Sequence, residues 1–222
     1  MSDGPPKESS PSGDREAEAR DLIEVYFELE EPVERDVLFE QITAFDLPLV
    51  TDFLRTMLEH DEDEYTRAGA AAELARRGVD EGRLALEADL SEPEELYFFV
   101  SALQTFVELK GPAFYDTAAA LWRDAERDPD ERREAMLAME GADPARAMAD
   151  FTAFISDIRD IGALPDDQIE LAMLAFVRHQ HVAALPVLAE LEKRVAAAPL
   201  DPEERDELEA FVREGIDLLR AA

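Results

Sequence analysis

The stretch DEYTRAGAAAELARRGVDEG, from Asp63 to Gly82, decides the fold of this chain. Its first part is rich in alanine and has the composition of a helix. Gly78 ends that helix, because glycine readily adopts the left-handed conformation found after a last helical turn. A second helical pattern follows at once. The small residues around Ala71 let two helices approach closely, and Leu74 fills the contact between them. The stretch is therefore predicted to be a helix–turn–helix unit.

Units of this kind recur along the chain. Counted from the first helix of each pair, successive starts are separated by 29, 37, 36 and 36 residues. A helix–turn–helix unit that recurs every ~30–45 residues is typical of stacked helical repeats. In such an array no pair buries both of its faces alone, so neighbouring pairs stabilise each other. The predicted starts are Glu64, Pro93, Asp130, Asp166 and Pro202.

The order of residues in the first unit resembles the HEAT repeat family, in particular its short bacterial, phycobilisome-lyase-like subtype. Units of that family run from an acidic residue through arginine, small residues and leucine to glycine and aspartate at the turn. The segment from His181 to Arg194 is similar to the second helix of such a unit. The resemblance extends as a pattern from Val33 to Leu219. The matching positions in the first unit are Asp63, Arg67, Ala68, Ala71, Leu74, Gly78 and Asp80.

This resemblance implies an all-α fold, a right-handed α-α superhelix of about five helix pairs (a HEAT-like solenoid). The alternative that the pattern leaves open is a compact helical bundle. Residues 1–13 are rich in proline, serine and glycine and are predicted to be a disordered tail. Residues 14–222 are predicted to form a single helical-repeat domain.

The most amphipathic segment is PEELYFFVSALQTFVELKG, from Pro93 to Gly111. Ser91 and Glu94 have the spacing of a capping box, which predicts that a helix begins there. Gly111 suits a left-handed cap at its end. The following helix is predicted from Pro112 to Glu126, since proline is favoured in a first helical turn.

The charge of the chain limits its partners. Among 222 residues, 54 Asp and Glu oppose 22 Lys and Arg, for a formal net charge of −32. Binding to a phosphate backbone depends on Lys and Arg contacts, so we expect no nucleic-acid partner. An anionic membrane surface is disfavoured for the same reason. The chain contains no cysteine, its first residues lack a signal-peptide core, and we expect a cytoplasmic protein.

We expect no catalytic, metal or cofactor site. His179 and His181 are two residues apart and point in different directions on a helix, so we expect them at a turn between helices. The acidic run that starts at Asp61 has Thr66 where a calcium loop requires glycine. No glycine-rich phosphate loop and no nucleophile motif is present.

Two groups of residues are predicted to bind a partner, because tyrosine, tryptophan and arginine are favoured at binding hot spots. One group lies on the helix that carries the single tryptophan, and the other is a basic island in an acidic chain. The alternative is that both rings complete a contact between neighbouring repeats and that the arginines form internal ion pairs, such as Glu73 with Arg77. The predicted residues are Tyr115, Trp122 and Arg123, and Arg67, Arg76, Arg77 and Arg83.

The function expected from this architecture is that of a non-enzymatic scaffold or adaptor. Stacked helices create an extended surface for a protein or peptide, and an acidic surface favours a partner with a basic or apolar segment. The resemblance also leaves open an enzyme or enzyme accessory of the bilin-lyase-like HEAT branch. Fold alone does not decide between these classes.

Overall fold

The computed structural model describes residues 11–29, 31–93, 95–158, 161 and 166–221. Every regular element within these ranges is helical, which confirms the predicted all-α class. Short 3₁₀ turns, Gly111–Phe114 and Val182–Ala184, precede the seventh and eleventh helices. The α-helices are α1 (Pro11–Glu28), α2 (Pro32–Thr43), α3 (Pro48–His60), α4 (Glu64–Arg76), α5 (Asp80–Ser91), α6 (Leu96–Lys110), α7 (Tyr115–Arg123), α8 (Pro129–Ala142), α9 (Pro144–Asp157), α10 (Asp166–Arg178), α11 (Leu185–Ala197) and α12 (Pro202–Ala221).

The chain forms two compact units, residues 1–102 and residues 103–222, and the boundary lies inside α6. The single domain predicted over residues 14–222 stays a prediction, because two compact units can still unfold as one cooperative domain. The tail was predicted over residues 1–13. Of these, residues 1–10 lie outside the described ranges, and α1 begins at Pro11.

In the first unit, α3 packs on α4, α4 packs on α5, and α1 contacts both α2 and α3. The core of this unit is built from apolar residues that recur at helical spacing on α1 to α4. Tyr26 and Phe53 meet edge to face in it, with ring centroids 5.1 Å apart. Its buried members are Ala19, Tyr26, Ile42, Val50, Phe53, Leu54, Met57, Ala70 and Leu74.

Small residues bring α4 and α5 close together. A Cβ atom added at Gly82 on α5 would collide with the backbone carbonyl of Ala71 and the Cβ of Leu74 on α4. Gly78, which has a φ of 72°, makes the turn between the two helices. The helix–turn–helix predicted for this stretch is therefore confirmed, together with the close approach that its small residues indicate.

Arginines secure the carboxyl ends of helices, where carbonyl groups lack intrahelical partners. In the first unit, Nη2 of Arg77 donates to the carbonyls of Thr43 and Phe45, at 2.7 and 3.1 Å. In the second unit, Nη1 of Arg194 donates to the carbonyl of Ile158 at 2.6 Å. Each arginine lies at the end of one helix and binds the end of the helix two places earlier in the chain.

The second unit contains the rest of α6 and all of α7 to α12. Consecutive helices pack on each other from α7 to α10, and α11 packs on α12. Alternate helices also pack together, since α10 contacts both α8 and α12 and α9 contacts α11. The predicted start at Asp166 coincides with α10, and the predicted start at Pro202 coincides with α12. At Pro202 the structure has one helix of 20 residues that reaches Ala221.

The sequence predicts where α6 and α7 begin. Ser91 is the last residue of α5, and its hydroxyl donates to the carbonyl of Glu87 at 3.1 Å. Glu94, its partner in the predicted capping box, lies outside the described ranges, so the capping box stays a prediction. A serine at a helix end can bond backward to its own helix as well as forward. The helix predicted from Pro112 begins as a 3₁₀ turn and becomes α-helical at Tyr115. Gly111, with a φ of 50°, has the predicted left-handed conformation.

Candidate partner-binding groove

An open groove crosses the first unit between α2, α4 and α6, with a volume of about 430 Å³. We call it the tyrosine groove, after the two exposed rings of Tyr65 and Tyr97. Gly69 lies beneath it, and a Cβ added there would be 3.3 Å from the ring of Phe39, so α4 and α2 are close at this point. The lining residues are Asp36, Phe39, Glu40, Thr43, Tyr65, Thr66, Gly69, Glu73, Arg76 and Tyr97.

The two tyrosines stand side by side in the groove. Their ring centroids are 4.0 Å apart, yet the residues remain 57% and 43% exposed. A protein surface gains stability when large aromatic rings are buried. An exposed pair of touching rings in a groove therefore presents a ready contact surface for another molecule.

Capping contacts place the two rings. The Asp63 carboxylate accepts the backbone N–H of Thr66 at 2.8 Å and so fixes the first turn of α4, which carries Tyr65. From the same turn, Oε1 of Glu64 accepts the backbone N–H of Phe98 at 3.2 Å. This bond ties the start of α6, which carries Tyr97, to the start of α4.

Carboxylates give the tyrosine groove a negative character. Asp36, Glu40 and Glu73 line it, and we call these three residues the acidic wall. Partial burial raises the pKa of the Tyr97 hydroxyl, and the neighbouring Tyr65 and Asp36 raise it further. The one basic residue among the described side chains that line the groove is Arg76, whose Nη1 lies 3.8 Å from the Glu73 carboxylate. The groove therefore combines apolar ring faces with net negative charge.

A second cavity of the first unit, of about 510 Å³, lies beside α4, α5 and the start of α6. Glu64, Arg67 and Glu95 contribute to its lining. Loss of hydration raises the pKa of Glu64, and a hydrogen bond with the Glu95 carboxyl raises it further. Within this cavity, Glu64 and Glu95 therefore interact with each other.

The four arginines of the predicted basic island have different settings. Arg77 is held by the carbonyls at the end of α2 and by Glu73, whose Oε1 lies 3.0 Å from its Nε. Arg67 donates to the carbonyl of Asp61 and lines the second cavity. Arg83 pairs with acids on its own helix, whereas Arg76 lines the tyrosine groove.

Of the residues predicted on α7, the two rings are buried and Arg123 is exposed. Trp122 is 5% exposed, and its indole N–H donates to Oε1 of Gln168 at 3.3 Å. The Tyr115 hydroxyl donates to Asp150 at 3.0 Å, and Arg123 pairs with the same carboxylate. Both rings thus lie in contacts between helices of the second unit. A direct contact of Tyr115 or Trp122 with a partner requires α7 to move, and their binding role stays a prediction.

Two histidines lie at the turn after α10, where the sequence places them. Nε2 of His179 is 2.8 Å from Oε1 of the buried Glu140, which also accepts from Nη1 of Arg178 at 2.6 Å. The ring of His181 stacks on Phe176, with centroids 5.6 Å apart. The bonds to Glu140 hold the end of α10 against α8.

Within the described part of the chain, no group of three His, Asp or Glu side chains could hold a metal ion. None of the helices in the same ranges has both the length and the apolar character that crossing a bilayer requires.

Reasoning from the sequence did not identify the tyrosine groove. A signal was present, because Tyr65 and Tyr97 each occupy the second position of a helix, in α4 and α6. Equivalent positions in successive repeat units lie on the same face. A repeat-by-repeat comparison of exposed aromatic residues would have paired them.

The comparisons with known proteins add no relative from which a function could be transferred. No family model, no curated protein and no solved structure matches this chain. The resemblance to HEAT repeats therefore rests on the pattern of residues in the chain itself.

Proposed function

We propose that this chain is a scaffold or adaptor that binds a basic, partly apolar segment of a partner protein in the tyrosine groove. The observation that carries the proposal is the pair of exposed, touching rings of Tyr65 and Tyr97 beside the acidic wall. Tyrosine gives a large and rigid contact area, and it is favoured where proteins bind each other. The carboxylates select for a cationic segment.

The exposed surface around the groove supports an apolar component in the partner. Val33 and Val37 are 75% and 52% exposed and lie one turn apart on α2, the helix that supplies Asp36 and Glu40. A segment that alternates basic and apolar side chains can therefore contact carboxylates and valines along one helix.

The charge of the whole chain supports the same choice of partner. A net charge of −32 attracts cationic segments over a distance of about a Debye length, ~8 Å at physiological salt. Such attraction speeds encounter more than it increases affinity. The groove then supplies the short-range contacts that hold one partner.

The proposal includes the finer architecture, a HEAT-like right-handed superhelix of about five helix pairs. It is supported by the contacts of alternate helices in the second unit and by the recurrence of helix starts. Small-angle X-ray scattering tests the architecture, because a stacked array is longer than a globule of the same mass. A radius of gyration typical of a 222-residue globule, about 17 Å, would contradict it.

The binding proposal is tested by quantitative capture of partners from the cells that make the protein. The groove variant is Glu40→Lys, and the matched control is Glu59→Lys, which makes the same charge change at an exposed position that does not line the groove. We expect one partner to be captured by the wild type and the control and to be lost from the groove variant.

Equal capture by all three proteins would contradict the tyrosine groove as the binding site. Parallel capture with Trp122→Ala and Arg77→Glu tests the residues predicted from the sequence. Both variants require a check of folding, since Trp122 is buried and Arg77 holds the end of α2.

A further inference from the structure

Two of the four tyrosines of the chain hold an arginine in the same way. The guanidinium of Arg35 lies over the ring of Tyr26, with its Cζ 4.7 Å from the centroid, while its Nη2 is 2.7 Å from Oδ2 of Asp61. The guanidinium of Arg146 lies 4.0 Å from the centroid of Tyr115, and its Nη2 is 2.6 Å from Oδ1 of Asp116. In each case a ring face and a carboxylate bind one guanidinium.

This arrangement uses properties that arginine has and lysine lacks. The guanidinium is planar and weakly hydrated, so it can lie flat on a ring while the N–H groups at its edge bond a carboxylate. Hydrogen bonds between charged groups of this kind are stronger than neutral ones. An ammonium group carries the same charge and can lie over a ring, as that of Lys110 does over Phe106. It is compact and strongly hydrated, however, and it has no planar face to lie flat on a ring while its edge bonds a carboxylate.

The other two tyrosines, Tyr65 and Tyr97, offer the same two components. Their rings are exposed, and the acidic wall lies beside them in the groove. Among the described residues, no arginine lies over either ring, and the groove residue Arg76 pairs with Glu73 instead. Glu73 of the acidic wall is already paired with Arg77 and Arg76, whereas the contacts of the described residues include no ion pair of Asp36 or Glu40. The two ring faces and these two carboxylates are thus open to a guanidinium from outside the chain.

We infer that Tyr65, Tyr97 and the acidic wall form a receptor for an arginine side chain of the partner, selected over lysine. The inference rests on the proposed function and specifies its partner. The guanidinium stacks on one of the tyrosine rings and donates to the carboxylate of Asp36 or Glu40 in the wall. Because arginine and lysine carry equal charge, the net charge of the chain attracts both equally, and the local geometry alone distinguishes them.

The test uses two fluorescein-labelled peptides of equal length and charge, one with arginines separated by Gly-Ser and one with lysines in their place. Fluorescence anisotropy measures the affinity of each for the full chain. Arginine can stack on a ring and bond a carboxylate at the same time, so we expect the arginine peptide to bind about fivefold more tightly.

Variants of the groove test whether the two tyrosine rings cause the preference for arginine over lysine. The double variant Tyr65→Ala/Tyr97→Ala is expected to bind both peptides equally, while Tyr65→Phe/Tyr97→Phe, which keeps the ring faces, is expected to keep the preference. Leu84→Ala is the control, because Leu84 is an exposed apolar residue of α5, 55% exposed, that does not line the groove. Thermal melts verify that each variant is folded.

The outcomes separate the inference from the proposed function. Tight but equal binding of both peptides, weakened by the loss of the rings, would overturn selection of arginine and leave the groove as a binding site. If the groove variants leave the affinity for both peptides unchanged, the selection of arginine and the groove as a binding site are both overturned. If sedimentation shows a dimer that the double variant dissociates, a second copy occupies the groove, and the inference is likewise overturned.

Discussion

Aromatic rings are exposed in the tyrosine groove, which lies between α2, α4 and α6. They are buried on the face of α7 that carries Tyr115 and Trp122. In the groove, Tyr65 and Tyr97 are about half exposed and contact each other. On α7, both rings are nearly fully buried and bond to side chains of later helices. The difference teaches that a pair of aromatic residues either closes a contact between helices or stays available for a partner. The outcome depends on which polar residues a neighbouring helix provides.

The largest expected difference between the two regions is in stability. Trp122→Ala removes a buried ring that meets Phe151 and Phe154 edge to face, and we expect a loss of about 3–5 kcal/mol in the free energy of unfolding. Tyr97→Ala is the matched change in the groove and is expected to cost less than about 1 kcal/mol, because its ring is already 43% exposed. Urea unfolding followed by far-UV circular dichroism measures both, and equal losses would contradict the comparison.

The packing of α4 on α5 could be predicted from the sequence because the residues that determine it lie within one short stretch. Gly78 ends the first helix, and the run of alanines allows the two helices to approach closely. The environment of Trp122 could not be predicted, because its hydrogen-bond partner Gln168 is 46 residues away in the chain. For the same reason, Asp150, 35 residues from Tyr115, could not be assigned as its partner.

The groove was missed for a related reason. The exposure of Tyr65 and Tyr97 depends on how α2, α4 and α6 pack against each other. The hydrophobic periodicity of one sequence predicts helices but does not predict how neighbouring helices pack. The three residues of the acidic wall could not be distinguished in the sequence, because the chain contains 54 Asp and Glu residues. The basic island on α4 and α5 was recognised, but its arginines were grouped by sequence distance although their contacts differ.

Two adjacent arginines sharpen the distinction between a structural and an exposed residue. Arg77→Met removes charged hydrogen bonds to the end of α2 and is expected to cost about 2 kcal/mol of stability. Arg76→Met removes a partly exposed ion pair with Glu73, worth about 0–1 kcal/mol. The same urea experiment measures both variants. A larger loss of stability for Arg76→Met than for Arg77→Met would show that the hydrogen bonds of Arg77 to the end of α2 do not stabilise the fold.

The buried hydroxyl of Tyr115 predicts a pH effect at alkaline pH. Burial raises the pKa of Tyr115, and its hydrogen bond to Asp150 raises it further. The protonated form is therefore favoured in the folded state, so its contribution is full below the ordinary tyrosine pKa of about 10 and is lost as pH rises above it. Tyr115→Phe removes this part of the pH dependence. A wild-type and a variant curve that stay parallel above that pH would contradict the burial of Tyr115.

The smallest effect is expected for Glu64, beside the groove. Burial raises the pKa of Glu64, and the bond with Glu95 raises it further, so the folded state favours its protonated form. Its contribution to stability is full below the ordinary glutamate pKa of about 4.3 and is lost as pH rises through its raised value. Glu64→Gln keeps an acceptor for the N–H of Phe98 and is expected to be slightly more stable than wild type at neutral pH. Glu62→Gln, at an exposed position, is the control in thermal melts, and a destabilised Glu64→Gln would be evidence against this sign.

The most direct test of the central claim is a backbone NMR titration of the labelled chain with the arginine peptide. The account predicts shift changes concentrated in the lining residues of α2, α4 and the start of α6, around Tyr65 and Tyr97, with the resonances of α7 around Tyr115 and Trp122 unchanged. Changes centred on α7, or changes spread evenly over all acidic surfaces, would contradict the tyrosine groove as the binding site.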